Sequence, residues 1–392
     1  MSENDFTPDC DNQHYDIAVI GCGVAGLCMA YAAAQKGFKT ALIGAFNPQE
    51  SGRTVALFTQ STAFLKHVDL WNAVENIAYP LKKLRIIDDS KSIFTPPSVT
   101  FDAHDIDLNE LGYSFELHHL QAALYDQVKK HPLIDHYPHM LTHLEVDIHS
   151  ATLTLDDGTC VYAKLVIGAD GRNSRVRECA QINVKTWSYP QVALTVGLQH
   201  TYPHRHVSTE MHTRYGPFTW VPLNEYRSGL VWLTSPEHGK ELSELSDDAL
   251  ATCIRDQAKG LLGNVKCEGA RQLVPMRGLN ATRLTGLRVA LIAETAHAFP
   301  PIGAQGLNMS LADVFSLEKC LKPQLSDLDQ SLKAYEKARL RDIHLRTTLV
   351  DGFNRALLAP WLPVDLMRGA GLLALGYAKP LRKAIMRAGL NL

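Results

Sequence analysis

The stretch DIAVIGCGVAG, Asp16 to Gly26, decides the fold. Asp16 to Ile20 is an apolar run that reads as a buried strand. The Ala-rich sequence as far as Lys36 reads as a helix that Gly37 closes, and Lys39 to Ile43 reads as a second strand. Together they make one strand–helix–strand unit of about thirty residues, the length expected of a parallel crossover. Between the first strand and the helix stand Gly21, Gly23 and Gly26, and each has a mechanical reason to be glycine. Gly21 permits the tight turn, Gly23 lets the backbone approach a pyrophosphate, and Gly26 lets helix and strand pack closely. The helix start at Val24 and Ala25 then offers free N–H groups and a partial positive charge to phosphates. One part is missing. The acidic residue that normally ends the second strand and binds the adenosine ribose is Gly44 here, and the nearest acid, Glu50, lies six residues further on. Either Glu50 reaches back or the ribose is held through backbone and water.

Working outward, Leu84 to Asp88 and Ser98 to Phe101 look like strands on either side of Pro96 and Pro97, and Leu117 to Lys130 has helical spacing. Val146 to Leu155 and Cys160 to Ile167 flank Asp157-Gly158, a strong hairpin signal. From Val192 to Ser235, short segments rich in Val, Thr, Phe and Trp alternate with Pro and Gly turns, which fits an antiparallel sheet outside the nucleotide-binding core. Ser246 to Leu262 reads as an amphipathic helix capped at its start, Arg288 to Ala293 as a buried strand, and Gly306 to Cys320 as a helix. Helices fill most of the chain beyond Cys320. No repeat or Ser/Pro linker separates these parts, so the domains interleave. The expected division is a disordered lead (1–14), a discontinuous nucleotide-binding domain (15–80, 104–182 and 276–325), a second domain carrying the antiparallel sheet (81–103 and 183–275) and a C-terminal helical region (326–392).

The chain has 392 residues, 46% of them hydrophobic, and a formal net charge of −2. Near-neutral charge gives no general attraction to nucleic acid. The eight cysteines are scattered without a CxxC pair, which reads as reduced thiols in a cytosol-like compartment. The first fourteen residues carry acids and no Lys or Arg, the opposite of a signal peptide. Ile17 to Ala34 is uncharged for eighteen residues, the threshold for a membrane span, but three glycines interrupt its first half. A strand followed by a buried helix explains the run better.

Two more segments carry chemistry: Gly168-Ala169-Asp170-Gly171-Arg172-Asn173-Ser174, and Ala293-Glu294-Thr295-Ala296-His297, continuing through Pro300-Pro301-Ile302-Gly303-Ala304-Gln305-Gly306-Leu307-Asn308. With the glycine turn, these motifs resemble those of the group A FAD-dependent aromatic hydroxylases, nearest the ubiquinone-biosynthesis hydroxylases of the UbiH/UbiF type. Arg53-Thr54-Val55-Ala56-Leu57, Leu120-Gln121-Ala122-Ala123-Leu124 and Gly216-Pro217 are also similar, so the likeness covers nearly the whole chain.

The resemblance implies a para-hydroxybenzoate-hydroxylase-like α/β fold: a Rossmann-like FAD-binding domain, an interleaved antiparallel-sheet substrate domain and C-terminal helices. It implies FAD held by Gly21, Gly23, Val24, Ala25 and Gly26, by Arg53 near the pyrophosphate, and by Asp170 and Gly171. Glu294 falls on the ribityl hydroxyls, with Pro301, Gly303, Gln305, Gly306, Leu307 and Asn308 along the flavin. Glu294 stands where relatives carry aspartate, and Leu117 where they carry a polar residue; His118, His119 or Gln121 is available to replace it. The implied activity is monooxygenation of an aromatic ring through a flavin C4a-hydroperoxide, with Pro300, Pro301 and Gly303 supplying the backbone environment and no side-chain base assigned. The implied substrates are O2 and a hydrophobic aromatic, a polyprenyl-phenol precursor of ubiquinone.

A hydroxylase of a small soluble aromatic, or an FAD-poor scaffold of a biosynthetic complex, would share these motifs. NAD(P)H and a protein electron donor both remain open as reductant. His297 reads as structural beneath the flavin loop, and Asp170 has a plainer use as cap of a short helix near Ser174. No residues have metal-ligand spacing beyond the lone His204-Arg205-His206. Arg368, Lys379, Arg382, Lys383 and Arg387 are interleaved with apolar residues. A basic amphipathic helix of this kind suits peripheral contact with an inner-membrane surface or a complex.

Overall fold

The computed structural model describes residues 13–50, 52–90, 97–300, 303–358, 371, 373, 375 and 377–390. Pro96, Pro301, Ile302 and Arg368 therefore lie outside the described residues, as does most of the expected lead.

The strand–helix–strand unit forms as read: β1 (His14–Ile20), α1 (Val24–Gln35) and β2 (Thr40–Ile43). The strand opens at His14, inside the span expected to be disordered, because His14 pairs with Tyr162. Ten of the twelve α1 residues are buried, which accounts for the uncharged run from Ile17 to Ala34 without any membrane. β1 sits between β2 and the strand Cys160–Gly168, parallel to both, and Val289–Leu291 and Ile134–Tyr137 extend the sheet in the same sense. Strands flanked by helices on a parallel sheet are near-continuously apolar, and Ile17, Ala18, Val19, Leu165, Val166 and Ile167 are fully buried.

The hairpin at Asp157-Gly158 is present, but its first strand is Ala151–Leu155 alone. Val146 ends a separate strand, Leu141–Val146. Asp147 divides the two by accepting from the backbone N–H groups of His149 and Ser150, so one carboxylate makes a turn where apolar alternation read as continuous strand.

The second sheet has eight strands, among them Lys83–Asp89, Val184–His200, Val207–Thr213, Gly216–Asn224, Arg227–Thr234 and Val265–Ala281. Two of them, Val184–His200 and Val265–Ala281, run for 17 residues each, longer than the short segments expected. They bulge midway and carry the chain from the nucleotide-binding core to the far end of the sheet. The helix Asp247–Gln257 covers the outer face, capped by the Ser246 side chain. The helices Gln305–Cys320 and Leu328–Leu358 pack together along the core, and Lys379–Leu390 inserts Met386 and Leu390 among Val99, Phe101 and Leu111.

Candidate active site

A cavity of about 400 Å³ lies where the two sheets face each other. Its floor is the start of α1, at Gly23, Val24, Ala25 and Gly26. No side chain caps this helix start and no acid occupies its first turn, so its N–H groups are available to an anion. Gly21 stands behind the floor: a Cβ there would come within 2.3 Å of the Ala169 carbonyl oxygen. A Cβ on Gly26 would come within 1.9 Å of the Gly21 carbonyl oxygen, whereas one on Gly23 would meet no protein atom within 4 Å. The turn is packed tight behind and left open in front, the shape a pyrophosphate needs. Arg53 lines the same cavity and has no ion-pair partner among the described residues.

The Asp-Gly turn and the Glu294 loop converge on this floor from the neighbouring strands. Gly171 lines the cavity, but Asp170 does not. One Asp170 oxygen accepts from the N–H groups of Arg175 (2.7 Å) and Val176 (3.1 Å), and the other accepts from the Thr295 hydroxyl at 3.2 Å. Asp170 thus caps a short helix and ties the two loops together, so the plainer reading describes its bonds. Glu294 lines the cavity half-exposed and receives a bidentate pair from Arg172, 3.0 and 3.2 Å. The motifs assign Arg172 no role. Its partner lies 122 residues along the chain, and only the presence of a carboxylate in the Glu294 segment hints at the pair.

Behind Glu294 is a buried network. Asp313 accepts from the Ala293 N–H at 2.9 Å, from His297 Nε2 at 2.6 Å and from Arg339 Nε at 2.8 Å. Burial alone would raise the Asp313 carboxyl, but His297 and Arg339 outweigh it and hold it below the ordinary carboxylate range. Ala293 is held at φ 58°, in the left-handed region, by these bonds. His297 thus spends Nε2 on Asp313 and lies outside the cavity lining.

The flavin-side loop is described from Gly303 onward. Gly303, Gly306 and Leu307 line the cavity, together with Ala304, Phe299 and Ser310. Pro300 is buried and lies outside this lining. Two residues assigned to the cofactor point elsewhere. Asn308 makes four bonds, accepting from Phe58 N–H and Ser61 Oγ and donating to the Ala56 and Ala304 carbonyls, so it staples the loop to the Thr54–Phe58 strand. Gln305 faces Arg346. From the Leu117–Lys130 helix, Leu117 and Gln121 reach the cavity, while His118 and His119 turn toward Glu116 at 4.0 and 3.9 Å.

Gly44 ends β2 as read, and Glu50 does not reach back: its carboxylate lies against Gly269. His204 and His206 bond to different carbonyls, those of Asn224 and Pro80. Burial pushes the His204 imidazole down to about 4, so it is neutral. Glu116 with His118 and His119, and His139 with Asp156 and Asp157, bring three possible ligand atoms together, yet neither trio borders the cavity.

The remaining wall is the second sheet, for which no single residue signals a role in the sequence. Ala193, Val221, Val231, Val274 and Met276 make it apolar, interrupted by Thr195, Ser208, Glu210 and Thr219. Thr54 Oγ1 and Thr195 Oγ1 are buried without a hydrogen-bond partner among the described residues. Open glycines, an unpaired arginine, a bare helix start and orphaned hydroxyls around one space fit an extended dinucleotide whose ring end faces a sheltered chamber.

Comparison with known proteins agrees. Ubiquinone hydroxylase UbiL of Rhodospirillum rubrum is 29% identical over 384 residues, covering 95% of this chain and 88% of that protein. The 3-demethoxyubiquinol 3-hydroxylase of Escherichia coli is 29% identical over 395 residues, covering 97% of this chain and 100% of that protein. The crystal structure of p-nitrophenol 4-monooxygenase PnpA from Pseudomonas putida shares the fold, with a TM-score of 0.81 over 97% of this chain and 99% of that one at 16% identity. The family model described as "FAD binding domain" matches residues 14–347. The chain belongs to that family.

Proposed function

We propose that the chain is an FAD-dependent monooxygenase that hydroxylates the ring of a polyprenyl phenol in ubiquinone biosynthesis. The observation that carries this reading is one continuous cavity with an anion-holding floor and an apolar far wall. The near-full-length likeness to hydroxylases of ubiquinone biosynthesis supports the substrate class.

The α1 start and Arg53 would hold the pyrophosphate, and Glu294, oriented by Arg172, the ribityl hydroxyls. The backbone from Gly303 to Leu307, at the N-terminus of the Gln305–Cys320 helix, would offer N–H groups and a positive helix end to the ring system. FAD held there, with NAD(P)H or a protein donor as reductant, would supply the activation of dioxygen from which one oxygen atom is added to the ring. Val221, Val231, Val274, Met276 and Phe299 exclude water from that exchange. The test is to reduce FAD-loaded protein, admit oxygen with a short-tailed prenylated phenol, and weigh the product. One added oxygen atom supports the reading; oxygen consumption without hydroxylated product overturns it. Equal turnover of the same phenol without its tail would move the substrate to a small soluble aromatic.

We also propose that the protein meets its substrate at an anionic membrane surface. No helix among the described residues is long and apolar enough to cross a membrane. Leu381 and Ile385, one turn apart on the Lys379–Leu390 helix, are exposed, as is Tyr377 just before it. Arg382 flanks this face and is engaged by Asp105, and Arg387 lies 3.9 Å from Asp107, whereas Lys379 and Lys383 project from the side of the helix that carries Met386 and Leu390. The proposal rests on the exposed apolar pair, since apolar side chains on a short surface helix insert into a headgroup layer. Flotation with anionic vesicles should be lost in Leu381→Ser/Ile385→Ser; binding equal to wild type would sink the idea.

A further inference from the structure

The far wall contains one feature that FAD binding does not use. Glu210, on Val207–Thr213, is 6% exposed and lines the cavity. Its partner is His212 Nε2, at 2.8 Å, and His212 is 1% exposed. Among the described residues no lysine or arginine lies within 4.0 Å of the Glu210 carboxylate. A carboxylate held in an apolar chamber by one imidazole is costly, and a structural role would be served better by an apolar residue.

The register places this carboxylate at the head of a row. Glu210 stands opposite Thr219, Thr219 opposite Val231, and Val231 opposite Thr195. Directly paired residues share a face, so these four side chains lie in a line across four strands, and all four line the cavity. At the other end of the row is the orphaned, nine-tenths buried Thr195 hydroxyl. Around the row are Ala193, Val221, Val274 and Met276. The wall is an apolar slot with a proton acceptor at one end and an unsatisfied hydroxyl at the other, complementary to a flat ring bearing oxygen substituents on opposite edges.

We propose that Glu210, positioned by His212, is the base that takes the proton from the substrate's ring hydroxyl, with Thr195 binding an oxygen substituent across the ring. The assignment rests on the hydroxylase reading above and names its missing side-chain base. In the step, the substrate O–H bond breaks and its electron pair stays on the ring oxygen. A new O–H bond forms on the Glu210 carboxylate, and one negative charge passes to the ring. The phenolate is richer in electrons at its ortho and para carbons and therefore accepts an electrophilic oxygen faster. Once oxygen has been added, the C–H bond at the attacked carbon breaks, its electron pair restores the aromatic phenolate and its proton leaves with the second oxygen atom of O2 as water; Glu210 then returns its own proton to the same ring oxygen.

The experiment compares a short-tailed prenylated phenol with its O-methyl ether on FAD-loaded protein, by perturbation of the flavin spectrum and by the ultraviolet band of bound phenolate. Wild type should bind the phenol at least tenfold tighter than the ether and show the phenolate band. Glu210→Gln, with unchanged FAD content and melting temperature, should bind both alike, lose the band, and turn over about 100-fold or more slowly. Glu210→Asp should restore part of the band. If wild type discriminates and Glu210→Gln discriminates equally, this assignment falls while the hydroxylase reading stands. If wild type binds the ether as tightly as the phenol, the assignment falls without any variant. If wild type binds neither compound, the hydroxylase reading falls and takes the assignment with it.

Discussion

His297 Nε2 and Asp313 Oδ2 stand 2.6 Å apart with 1% and 0% of their side chains exposed. The pair braces the loop that carries Glu294, because the same Asp313 oxygen accepts from the Ala293 N–H. Removing the carboxylate leaves Arg339 and His297 facing a hole, a loss of about 3–5 kcal/mol for a broken buried pair. Asp313→Ala should therefore melt well below wild type and purify with little FAD. The Asp313 carboxyl is held below its ordinary value, so its contribution is complete above the unfolded-state value and is lost as pH falls through the folded one. The melting gap between wild type and variant should persist from pH 7 to about pH 4 and narrow below it. A gap that stays constant to pH 3 would show that the pair is not what stabilises the loop.

Gly23 and Gly26 differ in what surrounds them. Gly23 has φ −72°, which any residue adopts, and faces the open cavity. Gly23→Ala should fold with a wild-type melting temperature in the FAD-free form and bind FAD at least tenfold more weakly. Gly26→Ala puts a methyl group onto the Gly21 carbonyl, and overpacking of this sort costs about 1–3 kcal/mol or more. It should lose stability even without cofactor. Calorimetry of both apoproteins with an FAD titration separates the two, and equal behaviour would mean that the cavity floor is misassigned.

The fold was legible wherever a local period or a turn residue was decisive. The glycine turn, the Leu117–Lys130 helix and the Asp157-Gly158 hairpin needed only neighbours in sequence. The false strand continuity through Val146 came from apolar alternation that one carboxylate, Asp147, interrupts. Within the site, glycines were legible because their reason is backbone shape. Side-chain roles were less so. Asp170 and Asn308 carry motif positions but spend their bonds on the protein, and Asp313 and Glu210 sit in segments with no local signal. Each of these four depends on partners more than a hundred residues away, or on which face of a helix or strand looks inward.

Glu294 separates stability from binding. It is half-exposed, and an exposed ion pair with Arg172 contributes about 0–1 kcal/mol to folding. A carboxylate accepting from cofactor hydroxyls is worth about 1.5–3 kcal/mol, or roughly 10- to 100-fold in affinity. Glu294→Gln should leave the apoprotein melt unchanged while weakening FAD by that factor, measured by quenching of flavin fluorescence. A variant with unaltered FAD affinity would place the ribityl chain elsewhere.

Gly44 stands where an acid is expected, and its surroundings oppose restoring one. It has φ +141°, and a Cβ there would lie 3.4 Å from Cys22 Sγ and 3.5 Å from Gly21 Cα. Its carbonyl accepts from the Cys22 thiol at 3.1 Å and from His136 Nε2 at 2.9 Å. Burial pushes that thiol up to about 12, so it stays protonated and able to donate. His136 Nδ1 in turn hydrogen-bonds with the Tyr125 hydroxyl at 2.8 Å, and Tyr125 stacks on Phe46 at 3.8 Å. The segment from Gly44 to Phe46 is thus fixed by a chain of hydrogen bonds and a ring stack built around a glycine backbone. A side chain at this φ costs about 1–3 kcal/mol. Gly44→Glu should accordingly lower the melting temperature and leave FAD affinity no better than wild type. A variant that melts normally and binds FAD several-fold tighter would mean that the backbone relaxes freely here, and that this chain lacks only the carboxylate.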